Sequence, residues 1–415
     1  MFKLFFSSIC SRWLPTVLIV LCLVSSMVLL LSIERIQNGT KQSFNYSISG
    51  VDSIIGPRSS SVALVLYTIF HVGKPTNNIT YKTFQYLKDR KDIEWIVPIA
   101  LGDSYDEFRV IATTESYFEK IKFGDNNQIK FDKGSNSLGL NNTIFGADVA
   151  NKLNSNIGDM INIVHGSNAD MGIEHDEISF ELSGILEKTG TPIDQLVFIN
   201  LQGYELVHLG WKSGKKIFSL SNQDLTKIDT SQLIPKTITA AFVGLKSKLT
   251  IFNFQKDIRE YLEEPISAVI PSLALSELWS IVSVVDKGFK LLSWIVIAIS
   301  LIAMITLIIN SLENRKREMI IYRANGASPL NLSLMVVIEA MFIGLLSIIL
   351  ALIFVSLISY FASAQLSVHF GISTNFSFLT ADEAIILSII LLAGVISSIV
   401  PAVITYKKNL NQTFS

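Results

Sequence analysis

The sequence contains very little cysteine, almost no net charge and no complete catalytic motif. Its 415 residues include only two cysteines, Cys10 and Cys22, and both precede or lie within the first apolar run. The polar part of the chain therefore has no internal disulfide and depends on its own hydrophobic core for stability. The formal net charge is −1, so the composition gives no indication of a nucleic-acid partner.

The sequence also lacks a usable nucleotide-binding motif. The stretch from Gly210 to Lys216 resembles a phosphate loop, but only three residues separate its glycines, and a second lysine follows the first where Ser or Thr is needed. A P-loop needs four residues there to curl its amides around phosphate, and a hydroxyl to hold Mg²⁺. Neither G-x-S-x-G nor H-E-x-x-H occurs. The sequence predicts no enzymatic activity, no catalytic residue and no cofactor in this chain.

One dense group of potential metal ligands lies between residues 165 and 177. Its spacing matches no zinc template, and it contains no cysteine. A solvated loop is the favoured interpretation, and a weak metal or cation site is the alternative. Two further histidines, His71 and His208, have apolar neighbours and are predicted to be core or edge residues. The residues of the group are His165, Asp170, Glu174, His175, Asp176 and Glu177.

Four apolar runs are long enough to cross a bilayer. The chain is 49% hydrophobic with a mean hydropathy of +0.45, and about 20 helical residues cover a hydrocarbon core of roughly 30 Å. The first run is longer than the roughly 7 to 15 residues of a signal-peptide core and no A-x-A-like site follows it, which favours an uncleaved anchor. The predicted spans are 13–33, 287–310, 331–362 and 384–406.

Basic residues near the ends of the spans predict the topology. Eight of them lie on one side of the predicted spans and four on the other, and the loop 363–383 has no Lys or Arg. The positive-inside rule then places segment 1–12, segment 311–330 and tail 407–415 in the cytoplasm, and segment 34–286 outside. The eight are Lys3, Arg12, Arg315, Lys316, Arg317, Arg323, Lys407 and Lys408, and the four are Arg35, Lys41, Lys287 and Lys290.

Segment 34–286 reads as a folded α/β domain. Short apolar and β-branched runs predict strands, and amphipathic patterns predict helices at 80–90, 146–153 and 253–263. The stretch 120–142 is dense in Asn, Gly and Asp and is predicted to be a loop. We expect two lobes, one formed by 45–115 with 190–275 and an inserted one from 116 to 189. The predicted strands are 62–70, 95–101, 108–114, 196–199 and 240–244.

A charged segment, Asn314 to Ser328, separates the second and third spans. Residues Arg315 to Ala324 predict a short helix on the membrane surface, and Gly326 follows where a left-handed C-terminal residue is wanted. Ser328 and Pro329 suit the start of the next helix. Short exposed helices with apolar and basic faces usually lie on lipid, and the alternative is a coupling element that offers apolar side chains to a partner.

Glu339 is the one charged residue within the apolar runs 291–309 and 332–361. A carboxylate at the bilayer centre costs roughly 2.5–3.5 kcal/mol, so such a residue usually faces a partner or a wet crevice. A fixed polar contact that transmits motion and a solvated carboxylate near the interface both remain open. Small residues at Gly344, Ser347 and Ala351 have helical spacing and favour a packed face, either within the chain or in a dimer.

Several short motifs resemble those of the FtsX/MacB-type ABC transporter permeases. The segment N-R-K-R-E-M-I-I-Y-R-A-N-G-A-S resembles the family's basic cytoplasmic helix that ends in G-A, and Glu339 with Gly344 resembles its E-x4-G. Pro401-Ala402 is similar to its P-A near the C-terminus. Gly146 to Ala150 with Leu153 and Gly158-Asp159 resemble a run of its outer domain. The runs 180–186 and 197–199 resemble the strand pair with which the family's outer domain re-enters the first lobe.

The resemblance implies four transmembrane helices and a large two-lobed extracytoplasmic domain, porter-like with an inserted β-rich lobe. It implies a bacterial inner-membrane permease without a fused ATPase domain, working as a dimer with separate ABC ATPase subunits that hold ATP and Mg²⁺. Such a permease transmits motion to its outer domain instead of opening a lumen. The implied ATPase-coupling residues are Arg315, Lys316, Arg317, Glu318, Ile321, Tyr322, Gly326 and Ala327, with Glu339 as the intramembrane polar residue.

The substrate does not follow from the sequence. The favoured role is that of a permease subunit in an ATP-driven export or extraction system. The alternatives are a scaffold or signalling protein that controls an extracytoplasmic hydrolase, and a lipoprotein-releasing subunit. A periplasmic adaptor or a lipoprotein is a further possible partner. The second permease copy is either identical or a paralogue.

Overall fold

A computed structural model describes residues 13–47, 49–165, 173–208, 211–212, 215–216, 233–314, 316–370 and 379–411. The chain divides into two compact units. The membrane unit comprises residues 1–39, 283–364 and 375–415, and the sheet unit comprises residues 40–282 and 365–374.

Four long helices form most of the membrane unit. They are α1 (Trp13–Tyr46), α8 (Pro271–Asn314), α10 (Pro329–Phe370) and α11 (Ala381–Asn411), and a short helix, α9 (Lys316–Ala324), joins α8 to α10. Each long helix contains an apolar stretch long enough to cross a membrane: Thr16–Gln42, Pro271–Asn310, Pro329–Phe361 and Ala381–Lys407. Their inward-facing side chains, including Met27, Leu31, Ile343 and Ala351, form one apolar core.

The helices extend beyond the spans that hydropathy predicts, because the polar residues at their ends continue the helical hydrogen bonding. Helix α8 begins at Pro271, where proline suits a first turn since its missing N–H has no partner there. Helix α11 continues to Asn411 through Pro401. This proline therefore does not end the helix.

The sheet unit contains one ten-stranded sheet. Its path runs β16-β1-β15-β3-β4-β11-β8-β10-β7, and β9 pairs with β10 and β3 off this path. The strands are β1 (Ser53–Pro57), β3 (Ile93–Tyr105), β4 (Phe108–Thr113), β7 (Phe131–Gly134), β8 (Asn142–Phe145), β9 (Met160–His165), β10 (Ile173–Leu186), β11 (Leu196–Asn200), β15 (Ala240–Leu245) and β16 (Ile266–Val269). Three two-stranded pairs add β2 (Ile79–Thr80) with β14 (Thr237–Ile238), β5 (Lys122–Phe123) with β6 (Asn127–Gln128), and β12 (Trp211–Lys212) with β13 (Lys215–Lys216).

The longest central strand, β3, connects the two halves of this sheet. Its first half pairs antiparallel with β15, from Ile93 to Ile99, and its second half pairs with β4, with a bulge between Leu101 and Ser104. Strand β4 then pairs parallel with β11, and β11 pairs antiparallel with β8. A strand of 13 residues with a bulge can bend, and so β3 pairs with β15 along its first half and with β4 along its second half.

Apolar side chains cover both faces of the sheet, since successive residues of a strand point to opposite faces. On one face, Val110 and Phe145 belong to a core that includes helix α3 (Tyr81–Lys88), α5 (Ala147–Leu153), α6 (Leu201–His208) and α7 (Ile251–Arg259). On the other, Ile111 and Phe198 pack with helix α2 (Ser61–Ile69) and α4 (Ser116–Lys120).

The prediction of a strand at 62–70 is wrong, because this stretch forms helix α2. The short apolar run fits either structure by periodicity alone. Ser60, in extended conformation, precedes the helix, and Leu64, Val65 and Thr68 of the run are buried on the sheet.

Two further corrections concern segments predicted to be loops. The stretch 120–142 contains β5, β6 and β7, and residues 174–177 belong to β10. Strands β10 and β11 do not pair with each other, since β8 lies between them. Such pairings join residues far apart in sequence and leave little local signal.

Candidate coupling site

Helix α9 presents apolar side chains to its surroundings. Ile320 and Ile321 are 53% and 59% exposed, Tyr322 is partly exposed, and Met319 packs partly against the core of the membrane unit. The backbone of Lys316, Arg317 and Glu318 is helical, whereas Arg315 lies outside the described residues. The exposed Ile320 and Ile321 pair on one short helix can enter a hydrophobic groove of a partner or lie on lipid.

The helix ends in a Schellman motif. Gly326 has a φ of 90°, its N–H donates to the carbonyl of Arg323, and the N–H of Ala327 donates to the carbonyl of Tyr322. These two bonds satisfy carbonyls that the helix end would leave unpaired. The backbone therefore has a defined turn at the position where the sequence placed a left-handed glycine.

Helix α10 begins at Pro329, five residues after the end of α9, with its own cap. The hydroxyl of Ser328 accepts a hydrogen bond from the N–H of Asn331, at 3.2 Å, and Pro329 occupies the first helical position. The connection between the two helices is short and ordered at both ends.

We expect Gly326→Ala to destabilise the protein by about 1–2 kcal/mol, because an L-residue is strained at this φ. A Cβ at this position meets nothing within 4 Å, so the effect is conformational and not steric. The measurement is the thermal unfolding midpoint of the protein in detergent. The matched control is Gly288→Ala in helix α8, where a Cβ also meets nothing within 4 Å and alanine is the better helix former. Equal midpoints for the two variants would contradict the prediction.

A buried ion pair joins α1, α10 and α11. The guanidinium of Arg35 donates from Nε to Oε1 of Glu383 at 2.5 Å and from an Nη atom to Oε2 at 3.1 Å. A second Nη atom lies 3.4 Å from the hydroxyl of Ser359. Arg35 is 6% exposed and Glu383 is 1% exposed. Bidentate geometry and burial make this a strong, directional contact between three helices.

Glu383 also caps its own helix. Its carboxylate accepts from the N–H of Thr380 at 2.9 Å, and the Thr380 hydroxyl accepts from the N–H of Glu383 at 3.3 Å. This reciprocal arrangement is a capping box. The sequence analysis did not select Arg35 or Glu383 as site residues, although Thr-x-x-Glu before an apolar run is a recognisable signal for the capping role.

The residue next to Arg35 makes a second ionic contact. Glu34 lies 2.9 Å from Nζ of Lys290 in α8, and the same Nζ lies 3.7 Å from Asp286. Farther along α1, the hydroxyls of Ser26 and Ser300 are 2.7 Å apart and buried. Helix α1 is therefore fixed to α8 by polar contacts at two levels.

Glu339 and the small residues of α10 lie inside the membrane unit. Glu339 is 7% exposed, and Ser347 and Ala351 are fully buried. A Cβ on Gly344 would lie 3.0 Å from the side chain of Leu391 in α11, so this glycine permits close packing of the two helices. The packed face predicted from Gly344, Ser347 and Ala351 thus has at least one neighbour within the chain. The role of Glu339 in transmission stays a prediction.

His71 and His208, the two histidines with apolar neighbours in the sequence, have different surroundings in the sheet unit. Nε2 of His208, at the end of α6, lies 3.6 Å from Oδ1 of Asp103, and Nδ1 lies 2.7 Å from the Tyr204 carbonyl. Burial lowers the pKa of His208, but the Asp103 carboxylate raises it more, so the pKa lies above its usual value. Burial is the main reason why the pKa of His71 is lowered to about 3, and the positive charge of Arg109 lowers it further.

The candidate metal ligands are only partly placed. His165 ends β9 and Glu174 to Glu177 belong to β10, while Asp170 lies outside the described residues. Within the described part of the chain, no group of three or more His, Cys, Asp or Glu side chains is arranged to hold a metal ion. Of the P-loop lookalike, residues 211–212 and 215–216 form the paired strands β12 and β13, and its other residues lie outside the described ranges.

The structure is that of a membrane protein with a substantial polar domain. It has four long apolar helices, a short capped helix between two of them, and a large unit of mixed helix and sheet. Two family comparisons agree with this description. The MacB-like periplasmic core domain matches residues 16–261, and the FtsX-like permease C-terminal domain matches residues 290–410. The first match covers more than half of the chain.

The chain belongs to the FtsX/MacB-like family of ABC transporter permeases. It is an inner-membrane protein with an extracytoplasmic domain, and permeases of this family work with ABC ATPase partners.

The comparison with solved structures found similarity to two extracytoplasmic regions. The periplasmic region of MacB from Actinobacillus actinomycetemcomitans is 10% identical, with a TM-score of 0.32, and the match covers 55% of this chain and 93% of that one. The extracellular domain of the noncanonic ABC-type transporter YknZ from Gram-positive bacteria is 12% identical, with a TM-score of 0.28, covering 53% and 98%. No curated protein sequence matches the chain.

Proposed function

We propose that this permease transmits the motion of a separate ABC ATPase to its extracytoplasmic domain, and so drives export or extraction of a substrate outside the inner membrane. The observation that supports this best is helix α9, a short capped helix with Ile320 and Ile321 exposed, placed directly between α8 and α10. ATP and Mg²⁺ are held by the partner, and the chain itself does not hydrolyse ATP. The coupling surface comprises Arg315, Lys316, Arg317, Glu318, Ile321, Tyr322, Gly326 and Ala327.

The proposed path of motion leads from α9 through the long helices. Helix α10 contributes Ser359 and α11 contributes Glu383 to the contact with Arg35 of α1. Helices α1 and α8 each continue without interruption from the membrane unit into the chain of the sheet unit. Glu339 is the intramembrane polar residue on this path.

The working form is a dimer with both termini and α9 in the cytoplasm, as the basic residues near the spans favour. The extracytoplasmic domain works as a porter-like lobe, 45–115 with 190–275, and an inserted lobe, 116–189. Support for this division comes from β7, β8 and β9, which all pair with β10 within residues 116–189.

The test uses the full chain in nanodiscs with the ABC ATPase encoded in an adjacent reading frame. The chain alone should show no ATP hydrolysis, and the pair should hydrolyse ATP. Nitroxide labels on Leu249→Cys, with Cys10 and Cys22 replaced by serine, should report a changed distance between two copies after ATP and vanadate are added. Leu249 is 93% exposed, so the label should not disturb packing.

Each part of the proposal can fail separately. ATP hydrolysis by the isolated chain would contradict the division of labour. An unchanged distance in a pair that hydrolyses ATP would contradict transmission to the outer domain. Absence of a second label within range would contradict the dimer.

A further inference from the structure

The imidazole of His208, the last residue of α6, lies between two oxygen atoms. Its Nδ1 is 2.7 Å from the carbonyl oxygen of Tyr204, one turn earlier in the helix, and its Nε2 is 3.6 Å from Oδ1 of Asp103 in β3. A carbonyl oxygen only accepts hydrogen bonds, so a neutral ring in this position carries its proton on Nδ1. The lone pair of Nε2 then faces the Asp103 carboxylate. Only the imidazolium, with a proton on both nitrogens, interacts favourably with both oxygens.

The burial of Asp103 makes the charge of this imidazole important. The side chain of Asp103 is 1% exposed, and a buried carboxylate is costly unless a cation accompanies it. His208 also ends its helix, where the helix dipole favours a positive charge. Burial alone would lower the pKa of His208, but the adjacent carboxylate reverses this effect, and the pKa lies above 6.5.

The other titratable groups around His208 favour the same protonation state. The Glu205 carboxylate, on the same helix, adds negative charge. The Tyr204 ring lies against the imidazole, with centroids 4.4 Å apart, and burial raises the pKa of its phenol, which therefore stays neutral. On the neighbouring strand β9, His165 is the register partner of Asp103.

The contact between His208 and Asp103 lies at the bulge of β3, between Leu101 and Ser104. A bulge is a point at which a strand bends. Strand β15 pairs with the residues before this bulge, and β9 pairs with residues 103–104. Helix α6 packs closely here, since a Cβ on Gly102 would lie 2.8 Å from the hydroxyl oxygen of a tyrosine of that helix. An ionic contact at this point fixes α6 to the bend of the strand.

We propose that His208 is a pH-sensitive link of the extracytoplasmic domain: its imidazolium holds α6 against the bulge of β3, and loss of the ring proton releases this contact. The domain lies outside the cytoplasm, so the link responds to the external pH. Because folding raises the pKa of His208, the contact contributes its full stabilisation below pH 6.5 and loses it as the pH rises through the folded-state pKa. Mildly alkaline conditions therefore loosen α6, and mildly acidic conditions keep it in place.

The test uses the full chain in detergent, without ATP or ATPase, so its outcome is independent of the proposed coupling function. The chain has five histidines, and three of them, His165, His175 and His369, are first replaced by glutamine. Of the remaining two, His71 has its pKa lowered to about 3, so it does not change charge near neutral pH. His208 is then the one imidazole that titrates in this range.

The measurement is hydrogen–deuterium exchange followed by mass spectrometry, corrected for the intrinsic pH dependence of amide exchange. We expect the amides of α6 and of residues 100–105 to be about threefold or more less protected at about pH 8.5 than at about pH 5.5. Peptides of β1 and β16, at the other end of the sheet, serve as the internal reference and should show equal protection at both pH values.

Two variants identify the groups responsible. His208→Gln keeps a polar side chain that does not titrate, and Asp103→Asn keeps the shape of the carboxylate without its charge. Each should make the protection of α6 independent of pH. The matched control is His71→Asn, which should retain the pH dependence. His71 has a φ of 55°, a conformation that asparagine tolerates.

Three results would overturn the proposal. The first is equal protection of α6 at both pH values before His208 is changed. The second is an unchanged pH dependence in His208→Gln or in Asp103→Asn. The third is an equal loss of protection in β1 and β16 at high pH, which would show a general destabilisation in place of a local link.

Discussion

Arg35→Met lowers the free energy of unfolding by roughly 3–5 kcal/mol, the cost of leaving one partner of a buried ion pair without the other. The substitution keeps an unbranched apolar side chain but leaves the Glu383 carboxylate, 1% exposed, without its guanidinium. Glu383→Gln has a comparable effect for the opposite reason, because it leaves Arg35 buried without a counter-charge. The measurement is thermal and denaturant unfolding in detergent.

The double variant Arg35→Met with Glu383→Gln should recover most of this loss. Replacing both charges by neutral groups removes the cost of a lone buried charge, and glutamine still serves in the capping box with Thr380. Lys290→Ala is the control, since its ion pair with Glu34 is more exposed and should contribute about 1 kcal/mol or less. Single variants that each lose less than about 1 kcal/mol would contradict a structural role for this pair.

Replacing both Ile320 and Ile321 with glutamate should abolish association with the ABC ATPase without unfolding the permease. Both side chains are more than half exposed, so the substitutions remove little packing within the chain. Burial of apolar anchors at an interface commonly contributes 2 kcal/mol or more, which corresponds to roughly 30-fold weaker binding. The measurement is the fraction of ATPase that co-purifies with the variant from membranes.

The control for this variant is Leu249→Glu, an equally apolar and more exposed position in the sheet unit. It should leave co-purification unchanged. If the variant at Ile320 and Ile321 also retains the ATPase at wild-type level, these side chains lie on lipid and α9 is not the coupling surface. Charge reversal at Arg317 or Glu318 then becomes the next test of the same helix.

Local chemistry made parts of this structure predictable. Gly326 and the Ser328-Pro329 pair mark the end of α9 and the start of α10, because caps depend on residues within one turn. The apolar runs predicted four membrane-spanning helices for the same reason: the requirement for about 20 apolar residues is met within one segment.

Features that depend on distant residues were not predictable in this way. Arg35 and Glu383 are separated by 348 positions. In the sequence, each is a single charged residue next to a predicted span, and nothing local indicates its partner. The order of the ten strands and the helical state of 61–69 likewise depend on what packs against each segment.

The two adjacent ionic contacts of α1 restrict the ways in which this helix can move. Consecutive helical residues point about 100° apart around the axis, so Glu34 and Arg35 hold α1 from two directions, one toward α8 and the other toward α11 and α10. Turning α1 about its own axis would break both contacts at once. Tilting or sliding together with the neighbouring helices would keep them. Within the membrane unit, the two contacts therefore oppose rotation of α1 relative to α8, α10 and α11.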